Sequence, residues 1–207
     1  PITCEQLPMK NKRKKDKKSS SARLAHNNVK GDSIEKRPPE INERNEAGHW
    51  EMDLVVGAKG GKKVLLVLTE RKTRYEYIVL LKDKSQKSII QALNKMERQY
   101  GARLFRETFK SITCDNGSEF LDSQSLEKSL FNKTNRTKLY YAHPFSSFER
   151  GSNENANRFI RRILPKKTTF DTLTQNDINS MAEWMNRYPR RIFNGQSART
   201  KARIENL

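Results

Sequence analysis

Cys4 and Cys114 are the only two thiols among 207 residues. Their separation excludes a short metal-binding cysteine pair and a disulfide framework, and a reducing cytosol suits such a chain. No run approaches the roughly 18 apolar residues of a membrane helix, so a helical membrane protein is excluded. The start carries no signal-peptide pattern. Apolar residues make up only 34% of the chain, so part of it lacks the surface to offset the entropy of ordering. The sequence opens on Pro1 and is expected to be a piece of a longer protein. What abounds is positive charge: 42 Lys and Arg face 24 Asp and Glu, a net charge of +18. Such a balance points to a polyanionic partner, nucleic acid before others, with a merely soluble basic protein as the plainer reading.

The first 48 residues differ from the rest. Residues 10–18 (KNKRKKDKK) hold seven basic residues in nine, and apolar residues stay sparse up to His49. This reads as a basic, irregular arm suited to phosphate contact without base specificity. From Trp50 the pattern changes. Residues 50–56 (WEMDLVV) alternate, placing Trp50, Met52, Leu54 and Val56 on one face and Glu51 and Asp53 on the other. Residues 57–63 (GAKGGKK) read as a turn. Residues 64–68 (VLLVL) form the unbroken apolar run of a strand covered on both faces. Residues 75–81 read as a third strand, completing an antiparallel meander.

A helix is predicted over 85–100, ended by Gly101. Short strands follow at 112–114 and 139–142, with a short helix at 124–130 between them. Helices over 152–164 and 177–188 close the pattern, the second opened by a capping box of Thr174 and Asp177 and stopped by Pro189. This order predicts an α/β mixed sheet, the meander plus two parallel strands, flanked by helices. The expected organisation is an arm over 1–48, a core over 49–195 and a tail over 196–207. Trp50 and Trp184 are expected in the core, and Cys114 as a buried thiol.

Three carboxylates stand out. Asp53 lies mid-strand in an apolar run, where it must be satisfied by a partner. Asp115 ends a strand, where ligands bind in such sheets, although a lone Asp before Asn-Gly is more often a turn residue. Glu154 shares a helix face with Asn157, Arg158 and Arg161, opposite Ala156, Phe159, Ile160, Ile163 and Leu164; an ordinary solvated face would look the same. Together the three acids match what hard divalent cations take, oxygen ligands able to clamp the attacking and leaving oxygens of a phosphodiester. Glu149 is the rival third acid.

Residues 48–57 (GHWEMDLVVG), 113–120 (TCDNGSEF) and 151–157 (GSNENAN) followed by Arg161 resemble the three signatures of insertion-sequence thirty family transposases. These are of the DDE class, with an RNase H-like integrase catalytic core. Residues 34–46 (IEKRPPEINERNE) resemble that family's linker, and 164–169 (LPKKTT) and 186–191 (NRYPRR) its closing segments, so the likeness runs from about residue 30 to 195. It implies that Asp53, Asp115 and Glu154 are catalytic and hold two Mg2+ ions, for which Mn2+ can substitute. It implies cleavage of DNA at element ends and joining to target DNA, by a homo-oligomer assembled on DNA in the bacterial cytoplasm at the nucleoid. Arg150, Asn153, Asn157 and Arg161 fall at motif positions lining the site. With Arg158, Lys166, Lys167, Arg190 and Arg191 they are the expected DNA contacts.

The sequence departs from the family in several places: Phe148 and Glu149 stand where relatives tend to have Trp and Gln, Lys167 replaces a usual Gly, and the tail after Gln196 fits poorly. The gap between Asp115 and Glu154 is longer than usual, with 131–138 as a small insertion. The family's N-terminal helix-turn-helix region is not found. A truncated, non-catalytic DNA-binding remnant or regulator is therefore the second reading, and a nuclease of the same fold the third.

Overall fold

The computed structural model describes residues 31–143 and 146–207. The basic run at 10–18 and Cys4 lie outside them. Strands β1 (His49–Val56), β2 (Val64–Glu70) and β3 (Glu76–Leu81) form the antiparallel meander. Strands β4 (Ser111–Cys114) and β5 (Lys138–Tyr141) add in parallel beside β1, giving the order β3-β2-β1-β4-β5. The mixed sheet is the one expected from the pattern.

Seven helices among the described residues surround it: α1 (Glu40–Glu43), α2 (Gln86–Tyr100), α3 (Ala102–Thr108), α4 (Ser123–Glu127), α5 (Gly151–Ile163), α6 (Gln175–Arg187) and α7 (Ala198–Ile204). On one face Trp50, Met52, Leu66 and Leu68 pack with Ile89, Leu93 and Met96 of α2 and Phe105 of α3. On the other, Val55, Leu65 and Val67 pack with Ala156 and Ile160 of α5 and with Ile178, Met181 and Met185 of α6. β2 feeds both layers, which is why its sequence is apolar without alternation. Val56, expected on the buried face, is instead exposed at the end of β1. Among the described residues no helix is long and apolar enough to cross a membrane.

Both sheet edges are covered, as unpaired strand edges invite association. Along β3, Asn186 of α6 accepts from the Glu76 N–H (2.8 Å) and donates to the Glu76 carbonyl (2.9 Å). Gln175 does the same for the Leu80 N–H (2.8 Å) and the Ile78 carbonyl (3.1 Å). Along β5, the Tyr141 N–H donates to Asp32 O at 2.9 Å, and Ser33 makes an isolated bridge to Tyr141.

That second cover departs from the irregular arm expected over 1–48. From Gly31 on, the segment sits against the core, with Ile41 and Arg37 buried. The guanidinium of Arg37 reaches Thr113 on β4 (2.9 Å). The tail expected over 196–207 contains α7, capped by Ser197 and anchored by buried Ala198 and Ala202. Helix α3 is a further addition to the sequence pattern. Phe105 and the following Phe109 stack on one another, Phe109 stacks on Trp50, and the Trp50 indole donates to Thr108 O at 2.7 Å. The segment at 131–138 is tied down by Arg136, wholly buried beside Glu97 (3.3 Å).

Candidate active site

Asp53 and Asp115 reach the site from adjacent parallel strands. β1 and β4 pair from His49↔Ser111 to Glu51↔Thr113, so Asp53 and Asp115 follow in step just past the paired stretch. Each carboxylate is oriented by its own backbone: Asp53 Oδ1 accepts from the Leu54 N–H and Asp115 Oδ1 from the Gly117 N–H, both at 2.9 Å.

Helix α5 is laid along β1 by a series of matched contacts. Buried Glu51 accepts the Asn153 N–H at 3.0 Å, a carboxylate on an otherwise unpaired donor of the helix start. One turn on, Asn157 Nδ2 donates to Asp53 Oδ2 at 2.8 Å. Another turn on, Arg161 donates to Val56 O at 2.7 Å. From Asn153 to Asn157 four helical residues advance about 6 Å against about 6.6 Å for the two strand residues from Glu51 to Asp53, so helix and strand keep step there; the next step spans three strand residues, which the long Arg161 side chain bridges.

Arg150, just before α5, closes the pair. Its Nη2 donates to Asp115 Oδ2 at 3.0 Å, and its Nη1 lies 3.5 Å from Asp53 Oδ1. One guanidinium therefore spans both carboxylates. Glu154 does not join them. It stands on the exposed side of α5, its side chain 54% accessible, and accepts from Arg158 one turn on at 2.7 Å. Glu149, the rival third acid, accepts from the His143 N–H (2.8 Å) and pairs with the His143 ring (2.8 Å). That bond raises the imidazole pKa above its ordinary value. Burial first, and the Asp115 charge next, push the Cys114 thiol well above its usual range, so it is no nucleophile.

A further acid lies beside Asp115. A Cβ added at Gly117 would meet Asp115 Oδ1 and Glu119 Oε2, each at 2.9 Å. The two carboxylates thus flank the same glycine, and Glu119 escaped the reading of the sequence. Its signal was the four-residue step in DNGSE.

The chemistry of Asp53 and Asp115 fits a hard divalent cation: anionic oxygens from rigid strands, close enough to share one cationic group. Arg150 supplies the charge this pair requires. A three-acid site is not assembled in this arrangement. Among the described residues no three His, Cys, Asp or Glu side chains are gathered to hold a metal. Glu154 points to the exposed side of α5, where it pairs with Arg158 across one helical turn.

The expected DNA contacts divide in two. Arg158, Lys166, Lys167 and Arg191 are exposed, and Asn157 and Arg161 are part-exposed at the edge of the site. Asn153 and Arg190 are buried, at 1% and 6% accessibility, and do not reach the surface. Arg190 lies 3.9 Å from Glu76, donates to Arg74 O (3.3 Å) and stacks on Phe159. Trp184, expected in the core, is 42% exposed and packs against Phe159 and Tyr188.

Residues 43–147 match the family model described as the integrase core domain. The probable transposase for insertion-like sequence element IS1161 of Streptococcus salivarius is 39% identical over 170 residues, 82% of this chain and 45% of that protein. Transposase InsI for insertion sequence element IS30A of Escherichia coli (strain K12) is 37% identical over 167 residues, 81% of this chain and 41% of that protein. The transposase for insertion sequence element IS1086 of Cupriavidus metallidurans is 33% identical, over 80% of this chain and 46% of that protein. The chain thus spans less than half the length of these relatives. Among solved structures, a chain of the simian T-cell lymphotropic virus intasome in complex with PP2A regulatory subunit B56 gamma matches with a TM-score of 0.52. Its identity is 16%, over 68% of this chain and 49% of that one, a likeness of fold alone.

Proposed function

This chain belongs to the integrase core domain family, and from that membership we propose that it is the catalytic part of a metal-dependent DNA transposase, cleaving DNA at element ends and joining it to target DNA. The observation that carries the reading is the convergence of Asp53 and Asp115 on one guanidinium from neighbouring parallel strands. Transposases at 33–39% identity over most of the chain support the substrate class.

We assign Asp53 and Asp115 as the carboxylates that hold Mg2+ or Mn2+, with Glu154 as the third ligand once it leaves Arg158. Its exposed side chain is free to change rotamer without disturbing the core. Divalent ions held by these carboxylates would supply a lowered pKa for a water or 3′-hydroxyl and charge stabilisation for the leaving oxygen. The chain's own residues do the positioning. Asn157 fixes the orientation of Asp53, and the Gly117 N–H that of Asp115. Glu51 fixes the start of α5 and with it the approach of both Asn157 and Glu154. Exposed Arg158, Lys166, Lys167 and Arg191 meet phosphates, and a homo-oligomer on DNA brings two element ends together.

The test is incubation of the chain with DNA carrying element ends in Mg2+ or Mn2+, resolving cut from joined products. Joined products that vanish with Asp115→Asn support the reading. Cut products alone favour a nuclease, and binding in EDTA with no cleavage under any metal favours a non-catalytic regulator.

A further inference from the structure

The turn between β1 and β2 and the residues after β3 enclose an open cavity of about 670 Å3, at the end of β1 beyond Asp53. Four lysines line it: Lys59 and Lys62 from the turn, Lys82 and Lys84 from the segment after β3. All four are exposed, and among the described residues none of them takes part in a salt bridge. Two acids stand with them, Asp83 in the cavity wall and Asp171 against the turn, and each accepts hydrogen bonds that hold the backbone in place. Asp83 accepts from the Ser85 N–H (2.9 Å), the Ser85 hydroxyl (2.5 Å) and the Ser88 hydroxyl (2.6 Å) at the start of α2. Asp171 accepts from the Lys62 and Lys63 N–H groups, at 3.0 and 2.9 Å.

The turn is also rigidly mounted. The Ala58 N–H donates to Thr168 O at 2.9 Å. A Cβ at Gly57 would stand 2.8 Å from that same carbonyl, so only glycine allows the approach. The four cavity lysines form a basic rim, and Thr168, which holds the turn, directly follows exposed Lys166 and Lys167 in the chain. Gly60 and Gly61 leave the cavity mouth without bulky side chains.

We propose that this rim is a DNA-backbone site, a lysine cradle that grips duplex phosphates beside the reacting step. The proposal rests on the reading of the chain as a DNA transposase and extends it to a surface outside the catalytic residues. Flexible ammonium groups suit sequence-independent phosphate contact rather than base readout. Three strand residues separate Asp53 from Val56 at the cavity wall, roughly 10 Å. For a duplex running along β1, at about 3.4 Å per nucleotide on one strand, that offset is about three steps from the phosphate being cut.

The test is duplex binding by the whole chain in EDTA, followed by fluorescence anisotropy over a salt series, which needs no metal and no catalysis. The cradle variant carries Lys59→Gln, Lys62→Gln, Lys82→Gln and Lys84→Gln. A control removes four exposed charges elsewhere: Lys95→Gln, Arg98→Gln, Lys128→Gln and Lys133→Gln. Each lost phosphate contact lowers the slope of log affinity against log salt by about 0.9, so the cradle variant should lose about 3.6. The control should lose less than half as much. Equal losses in the two variants overturn the cradle while leaving the DNA reading standing; a parent chain that binds no duplex overturns both. Because net charge alone could blur the comparison, amine acylation gives a second readout. Lys59, Lys62, Lys82 and Lys84 should be protected by bound DNA, and unchanged labelling of all four contradicts the proposal.

Discussion

Arg150 Nη2 donates to Asp115 Oδ2 at 3.0 Å while Nη1 of the same guanidinium lies 3.5 Å from Asp53 Oδ1. The arginine holds together two carboxylates that repel one another. It also competes with any divalent cation for them. Arg150→Gln should therefore lower stability without metal by about 1.5–3 kcal/mol, the worth of a charge-assisted hydrogen bond. It should tighten Mn2+ binding, and added Mn2+ should restore much of the lost stability. Thermal melts with and without Mn2+ check this; a variant insensitive to Mn2+ would count against it.

Glu51 anchors α5 through the Asn153 N–H and lies 3.7 Å from Arg71, both side chains being buried. Removing one partner leaves a buried charge uncompensated, so Glu51→Ala should cost about 3–5 kcal/mol in urea unfolding. Glu51→Gln keeps an acceptor and should cost less. Both should impair cleavage through the placement of Asn157 rather than through DNA binding.

Glu76 gives the fold a pH dependence. Burial raises its pKa from 4.5 to about 8, more than the Thr69 hydroxyl bonded to it and Arg190 lower it. A raised carboxyl pKa means the native state keeps a proton that the unfolded chain has lost. Its contribution is full below the unfolded value and is lost as pH rises through about 8. The urea midpoint should fall between pH 5 and pH 8, and Glu76→Gln should flatten that fall. An identical profile in the variant would refute the assignment.

Asn186 closes the edge of β3 at Glu76 with both halves of its amide. Asn186→Ala strips partners from two backbone groups, at about 1–3 kcal/mol for each group left buried and unsatisfied. The loss should appear as a lower urea midpoint and faster amide exchange at Glu76.

Much of this was legible in the sequence because it is local. Alternation gave β1, the apolar run gave β2, and Thr174 with Asp177 marked the capping box that opens α6. What escaped depends on partners distant in the chain. Arg37 is buried through Thr113, Arg190 through Glu76, and Asn153 on the face of α5 that Glu51 anchors. A basic or amide side chain in a charged segment reads as solvated until its partner arrives. α3 was hidden by Gly101, which ends one helix and caps the next. Asp53 and Asp115 were readable from strand position and motif. The shared helix face of Glu154 and Arg158 leaves open whether the acid turns to the site or to its i,i+4 neighbour, with which it pairs here.

The central claim, that Asp53 and Asp115 form one cation-binding pair, is tested most directly by Mn2+ titration followed by electron paramagnetic resonance. The parent chain, Asp53→Asn and Asp115→Asn are compared without DNA. Saturable binding in the parent that is lost in each single variant is the expected result. Equal binding in all three proteins would contradict it.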